Sequence, residues 1–143
     1  MYEVTYYSIA KRNITKQDIN EILVSSRSFN QKNDITGCLL YYRDQFIQVL
    51  EGDKIKIMEL LEKITRDNRH ADVFILSEGE KDERTFSNWT MAYQELQDDD
   101  VKKIGEALFI NNFLTFSSLI SKPTHTIRLF WSRAQRMLTA NYN

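Results

Sequence analysis

The chain switches between two hydrophobic periods in a fixed order, and that order restricts it to few folds. Residues 2–9 alternate with a period of two. Val4, Tyr6 and Ser8 share one face and Thr5, Tyr7 and Ile9 the other, as a strand requires. Thr15-Lys16-Gln17-Asp18 opens a helix, with Thr15 as N-cap and Asp18 in the first turn. This helix runs to about Phe29 and turns Ile19, Ile22, Leu23, Ser26 and Asn30 inward, a stripe that begins apolar and ends polar. Residues 35–42 and 45–51 are strands joined through Arg43-Asp44 into a hairpin. After Gly52, Asp53 caps a second helix carrying Ile57, Leu60, Leu61 and Ile64 on one face and ending near Arg66. Residues 73–76 and 89–93 are further strands, separated by a mostly charged stretch at 78–84.

The order β-α-β-β-α-β-β predicts an α+β fold, a ferredoxin-like sandwich with two helices on one face of the sheet. The pattern changes after Asp98-Asp99-Asp100, which reads as a solvated linker. Residues 101–108 and 112–120 suggest short helices, and Pro123 suits the start of another. Ile127, Phe130, Trp131, Ala134, Met137 and Leu138 then form an apolar stripe. The expected organisation is one domain over 1–97 and a helical extension over 98–143, too small to fold alone. The extension is expected on the sheet face opposite the first two helices, covering Ile47 and Val49.

Gln48 is polar where this pattern calls for an apolar side chain. It shares a strand face with Phe46 and Leu50, so it points inward. A buried amide without partners costs about 1–3 kcal/mol, so something polar should meet it. Tyr6, Ser26 and Asn30 are similarly out of place, and His70, after the second helix, is positioned to close one end. Ordinary mutual hydrogen bonding explains any one of these. Their convergence on one cleft points to a polar, planar ligand.

Composition removes several other function classes. A chain of 143 residues with 42% hydrophobic and 27% charged residues has the balance of a soluble domain. Its net charge of −1 gives no electrostatic case for general nucleic-acid binding. No apolar run reaches the roughly 20 residues of a membrane span. The start, Met1-Tyr2-Glu3-Val4, does not resemble a signal peptide, so a cytoplasmic location is expected. The one cysteine, Cys38, excludes an internal disulfide and a cysteine metal cluster. It lies mid-strand among apolar residues, which suits a structural thiol better than a nucleophile. His70 and His125 are the only histidines, and Asp67 next to His70 finds no third ligand nearby, so no metal is expected. There is no glycine-rich phosphate loop.

Several short motifs occur together in order: Thr5-Tyr6-Tyr7-Ser8, Asn30 ahead of Ile35-Thr36-Gly37, Phe46-Ile47-Gln48-Val49-Leu50-Glu51-Gly52, Asp67-Asn68-Arg69-His70, and Phe86-Ser87-Asn88-Trp89-Thr90-Met91. In this the chain resembles the BLUF domain, a bacterial flavin-binding sensor of blue light, over roughly residues 2–93. The resemblance implies non-covalent FAD between the first two helices. It assigns Tyr6 to the tyrosine beside the flavin and Gln48 to the switching glutamine. It places Asn30 and Ser26 at the pyrimidine edge and Ile22 and Ile64 against the two ring faces. Arg69 and His70 fall near the pyrimidine end, with Lys63 and Asp67 close by. Trp89 and Met91 match a light-responsive pair on the fifth strand, which the family places beside Gln48. Phe29 departs from members that carry a polar residue there.

By the same resemblance, light leaves Gln48 rotated or tautomerised, with a changed hydrogen bond to flavin C4=O and N5 and a small red shift. Net chemistry is zero, so the chain is expected to be a switch and not an enzyme. Its output is expected to pass through the fifth strand and the C-terminal helices to a downstream regulatory protein, a homo-oligomer, or both. Two other classes compete: a light-insensitive ferredoxin-like interaction module, and a small flavoprotein reductase.

Overall fold

The computed structural model describes residues 1–86, 92–95 and 124–139. Five strands form one sheet: β1 (Tyr2–Ala10), β2 (Thr36–Tyr42), β3 (Gln45–Gly52), β4 (His70–Glu80) and β5 (Ala92–Glu95). Their order across the sheet is β4-β1-β3-β2-β5; β5 pairs parallel with β2 and the other neighbours are antiparallel. Helices α1 (Lys16–Lys32) and α2 (Lys54–Arg66) lie on one face, and a third described helix, α3 (His125–Thr139), lies on the other. The α+β sandwich expected from the periodicity is the fold observed.

Local chemistry explains the boundaries. Thr15 accepts from the Asp18 amide at 3.1 Å while Asp18 Oδ2 accepts from the Thr15 amide at 3.0 Å, a reciprocal cap on α1. Asp53 caps α2 by accepting from the Lys56 amide at 3.3 Å. In the hairpin, Arg43 and Asp44 both have positive φ, 43° and 63°, the conformation of a two-residue turn matched to strand twist. Gly37 is required by packing: a Cβ there would lie 2.1 Å from the Val49 carbonyl oxygen of β3.

Each sheet face carries its own core. Val4, Tyr6, Leu39, Phe46 and Leu50 pack beneath Ile19, Ile22, Leu23, Ile57, Leu60 and Leu61 of α1 and α2. Cys38, Leu40, Ile47 and Val49 pack against Phe86 and against Ile127, Phe130 and Ala134 of α3. The placement of α3 over Ile47 and Val49 is thus as expected. Ser77 of β4 and Thr126 of α3 share a hydrogen bond at 2.8 Å, and the Arg133 guanidinium sits 4.1 Å above the Tyr7 ring.

Three expectations need correction. β4 spans His70–Glu80, not only 73–76, because pairing with β1 extends along nearly the whole of that strand, with irregularities at Thr5/Tyr6 and Ile9/Ala10. His70 therefore opens β4 and does not merely follow α2. The fifth strand is described over Ala92–Glu95, and β2 separates it from β3, so it is not adjacent to the strand of Gln48. Trp89, Met91, the helices expected at 101–108 and 112–120, and Pro123 lie outside the described residues, as do the side chains of Met137 and Leu138.

Candidate functional site

The site starts from strand register. β1 and β3 place Tyr6 directly opposite Gln48, and β2 places Leu39 on the other side of Gln48. All three belong to the face under α1 and α2. The Tyr6 hydroxyl donates to Gln48 Oε1. On the opposite face, the Thr5 hydroxyl donates to the Gln48 backbone carbonyl at 3.0 Å. Adjacent residues of β1 therefore hold both the side chain and the main chain of Gln48. Tyr6 and Gln48 are only 1% and 3% exposed. Burial raises the Tyr6 phenol far above its ordinary range, and the Asp67 charge adds to this, so Tyr6 is a neutral donor.

A cleft of about 320 Å³ opens between the two helices, a size typical of small-molecule sites, roughly 300–1,000 Å³. From α1 it is lined by Ile22, Ser25, Ser26 and Phe29, and from α2 by Leu60, Lys63 and Ile64. Asp67, Arg69 and His70 complete one end. The Lys63 ammonium lies 4.1 Å above the Phe29 ring, bridging the two helices.

The charged end is internally organised. Arg69 donates through Nε to Asp67 Oδ1 and Oδ2 at 2.9 and 3.1 Å, and through Nη2 to Oδ2 at 2.5 Å. This fork holds the Asp67 carboxyl below its usual range and raises the Arg69 guanidinium. His70 Nδ1 lies 2.8 Å from Ser8 Oγ, and its ring is tilted against Phe46 at 5.1 Å. Burial lowers the His70 pKa, opposed by Asp67 and reinforced by Arg69, which favours the neutral imidazole. Away from this cleft, burial pushes the Cys38 thiol up to about 12, consistent with an inert core residue.

Of the residues singled out by sequence, Ile22, Ser26, Lys63, Ile64, Asp67, Arg69 and His70 meet in the cleft. Tyr6, Asn30 and Gln48 are not part of its wall and are almost fully buried. Sequence reasoning did not assign Ser25 or Leu60 to the cleft, while Phe29, the local departure from the family, lines it. The helical spacing of Ile22, Ser25 and Phe29 could have revealed it, because residues three and four apart share a face.

Residues 1–92 match the sequence model of the BLUF family, described as sensors of blue-light using FAD. The photoactivated adenylate cyclase subunit beta of Euglena gracilis is 35% identical over 89 residues, which are 62% of this chain and 10% of that protein. The chain thus spans about a tenth of the curated relatives it matches. Among solved structures, the photo-activated state of BlsA superimposes with a TM-score of 0.68 at 30% identity, covering 92% of each chain. A bacterial light-regulated adenylyl cyclase gives a TM-score of 0.65 at 28% identity, covering 92% of this chain and 39% of that one. The fold, the register of its buried polar residues and the match over residues 1–92 together establish that this chain belongs to the BLUF family of blue-light sensors.

Proposed function

We propose that the chain binds FAD non-covalently in the α1–α2 cleft and works as a reversible blue-light switch centred on Tyr6 and Gln48. The observation that carries this reading is the Tyr6 hydroxyl bond to Gln48 Oε1, made under a cleft with apolar walls. The residues present suit a flavin. Ile22 and Ile64 offer apolar contact from facing helices, Ser26 lines the same cleft, and Asn30 of α1 and Gln48 of β3 supply buried carboxamides on the sheet face that these helices cover. Lys63, Asp67, Arg69 and His70 supply the polar end.

Bound there, the flavin supplies blue-light absorption and a transient acceptor for one electron, which is then returned. Tyr6 gives up that electron together with its hydroxyl proton, the proton passing toward Gln48 Oε1, and recovers both as the switch resolves. Gln48 is left rotated or tautomerised, exchanging its donor and acceptor ends. Thr5 holds the Gln48 main chain to β1, so the change begins at the side chain and reaches the rest of β3 from there.

The output of this switch passes to β5 and α3, through Trp89 and Met91, and from there to a regulatory protein or a second copy of the chain. In this reading residues 1–97 form the light-sensing unit and 98–143 the helical extension that transmits the signal. The test is the absorption spectrum of the purified protein before and after blue light. A flavin spectrum with a small, reversible red shift supports the switch. A bound flavin without a shift points to redox chemistry, and a protein that refuses FAD favours a light-insensitive interaction module.

A further inference from the structure

The end of the sheet opposite the hairpin turn holds a buried ionic seam. Glu3, Glu51 and Thr36 are direct cross-strand partners on β1, β3 and β2 and form one row on the α3 face. Glu3 and Glu51 are 1% and 0% exposed. Two like charges directly opposite on a sheet repel, and here the crossover from β4 toward β5 resolves the conflict. Lys81 Nζ lies 2.8 Å from both Glu3 Oε2 and Glu51 Oε2 and also donates to Thr85 Oγ1 at 2.9 Å. Glu51 Oε2 accepts from the Thr85 amide at 2.8 Å as well, while Oε1 accepts from the Phe86 amide at 2.6 Å and from the Thr36 hydroxyl at 2.8 Å. Arg84 completes the row, donating to Thr36 Oγ1 at 2.9 Å and to the Asp34 carbonyl at 2.7 Å.

The seam joins two parts of the molecule that the sheet alone leaves apart. β5 is separated from β3 by β2, yet Glu51 lies three residues beyond Gln48 on β3 and binds the segment that leads toward β5. Phe86, held by Glu51, is 1% exposed and packs in the same core as Ile127 and Phe130 of α3. A buried carboxylate with all its partners supplied is rigid and directional, so a shift of β3 is passed to the crossover and to α3 together.

We infer that Glu51 is a positioning residue that couples the Gln48 switch to β5 and α3 through Thr85 and Phe86. This rests on the photosensor reading and adds the route by which its signal leaves the sheet. The direct test is hydrogen exchange of the full chain with FAD, in darkness and under constant blue light, for wild type and Glu51→Gln. The variant should keep the flavin spectrum and the red shift, because Glu51 is outside the cleft. Its light-minus-dark exchange difference in α3 should fall by about threefold or more, as expected when a coupling contact is cut.

A Glu51→Gln protein with the full difference overturns the inference. So does an Ile57→Val control of matched thermal stability that loses the difference equally, because the effect is then one of stability alone. If Glu51→Gln does not fold, Arg84→Gln, at the 18%-exposed rim of the seam, carries the same expectation and the same refutation. A wild type that red-shifts but shows no exchange difference in α3 also overturns the inference and leaves the sensor standing. A wild type with no red shift overturns the sensor reading itself.

Discussion

The Tyr6 hydroxyl and Gln48 Oε1 are joined across directly paired positions of β1 and β3, under the cleft between α1 and α2. This bond sets Oε1 as the accepting end of the amide, and in the proposed switch this is the dark arrangement that light inverts. Tyr6→Phe removes the donor while leaving the ring in place. A hydrogen bond to a buried amide is then lost, and stability should fall by about 1–3 kcal/mol, read as a lower urea midpoint. The same variant should bind flavin and lose the light-induced shift; a Tyr6→Phe protein that photocycles normally contradicts the donor role.

Gly37 is set against the backbone of β3. Gly37→Ala places a methyl group where the Val49 carbonyl lies 2.1 Å away, and two paired strands cannot move apart without losing ladder bonds. Overpacking of this kind costs about 1–3 kcal/mol or more. Chemical denaturation of the variant should show this loss, and an unchanged midpoint would mean that β2 and β3 are free to separate there.

Stability should fall on mild acidification, and His70 should be the cause. Its pKa in the fold is lowered from 6.5 by burial, against Asp67 and with Arg69. The unfolded chain therefore binds more protons than the folded one between the lowered value and about 6.5, and stability rises with pH across that window. The contribution is complete above about pH 6.5 and is lost as pH falls, with a slope of at most about 1.4 kcal/mol per pH unit for one proton. Asp67, also lowered, acts in the same sense but below its own ordinary range of about 3.9. Urea midpoints between about pH 7.5 and about pH 5 should slope in wild type and flatten in His70→Asn.

The Lys63 ammonium above Phe29 ties α1 to α2 across the cleft. A contact of this type is worth about 0.5–1 kcal/mol at an exposed site. Phe29→Ser should therefore speed release of flavin by roughly two- to fivefold. Stopped-flow displacement of bound flavin measures it, and an unchanged release rate would show that the bridge does not restrain the ligand.

Much of this structure is legible from residue spacing, for identifiable reasons. The stripes of α1 and α2, the caps at Thr15 and Asp53 and the alternating faces of β1 and β3 are local patterns, and each is found where its period places it. The inward polarity of Gln48 and Tyr6 follows from the same alternation. β4 escapes full recognition because it is a sheet edge, with Phe74 and Ile75 exposed on consecutive positions and Glu78 and Glu80 at its end. Its length comes from pairing with β1, which no local period encodes. The Glu3–Lys81–Glu51 seam is hidden for a related reason: charges far apart in sequence read as solvated surface until the sheet brings them into one buried row. The resemblance puts Arg69 near the pyrimidine end without its partner, and the fold commits much of its guanidinium to Asp67, two residues before it.

The central claim is that Gln48 is the element that light inverts. The most direct measurement is the light-minus-dark absorption difference of wild type and Gln48→Leu, recorded side by side on flavin-loaded protein. The account predicts a small, reversible red shift in wild type and bound flavin with no shift in the variant. A Gln48→Leu protein that keeps the shift contradicts the hydrogen-bond switch.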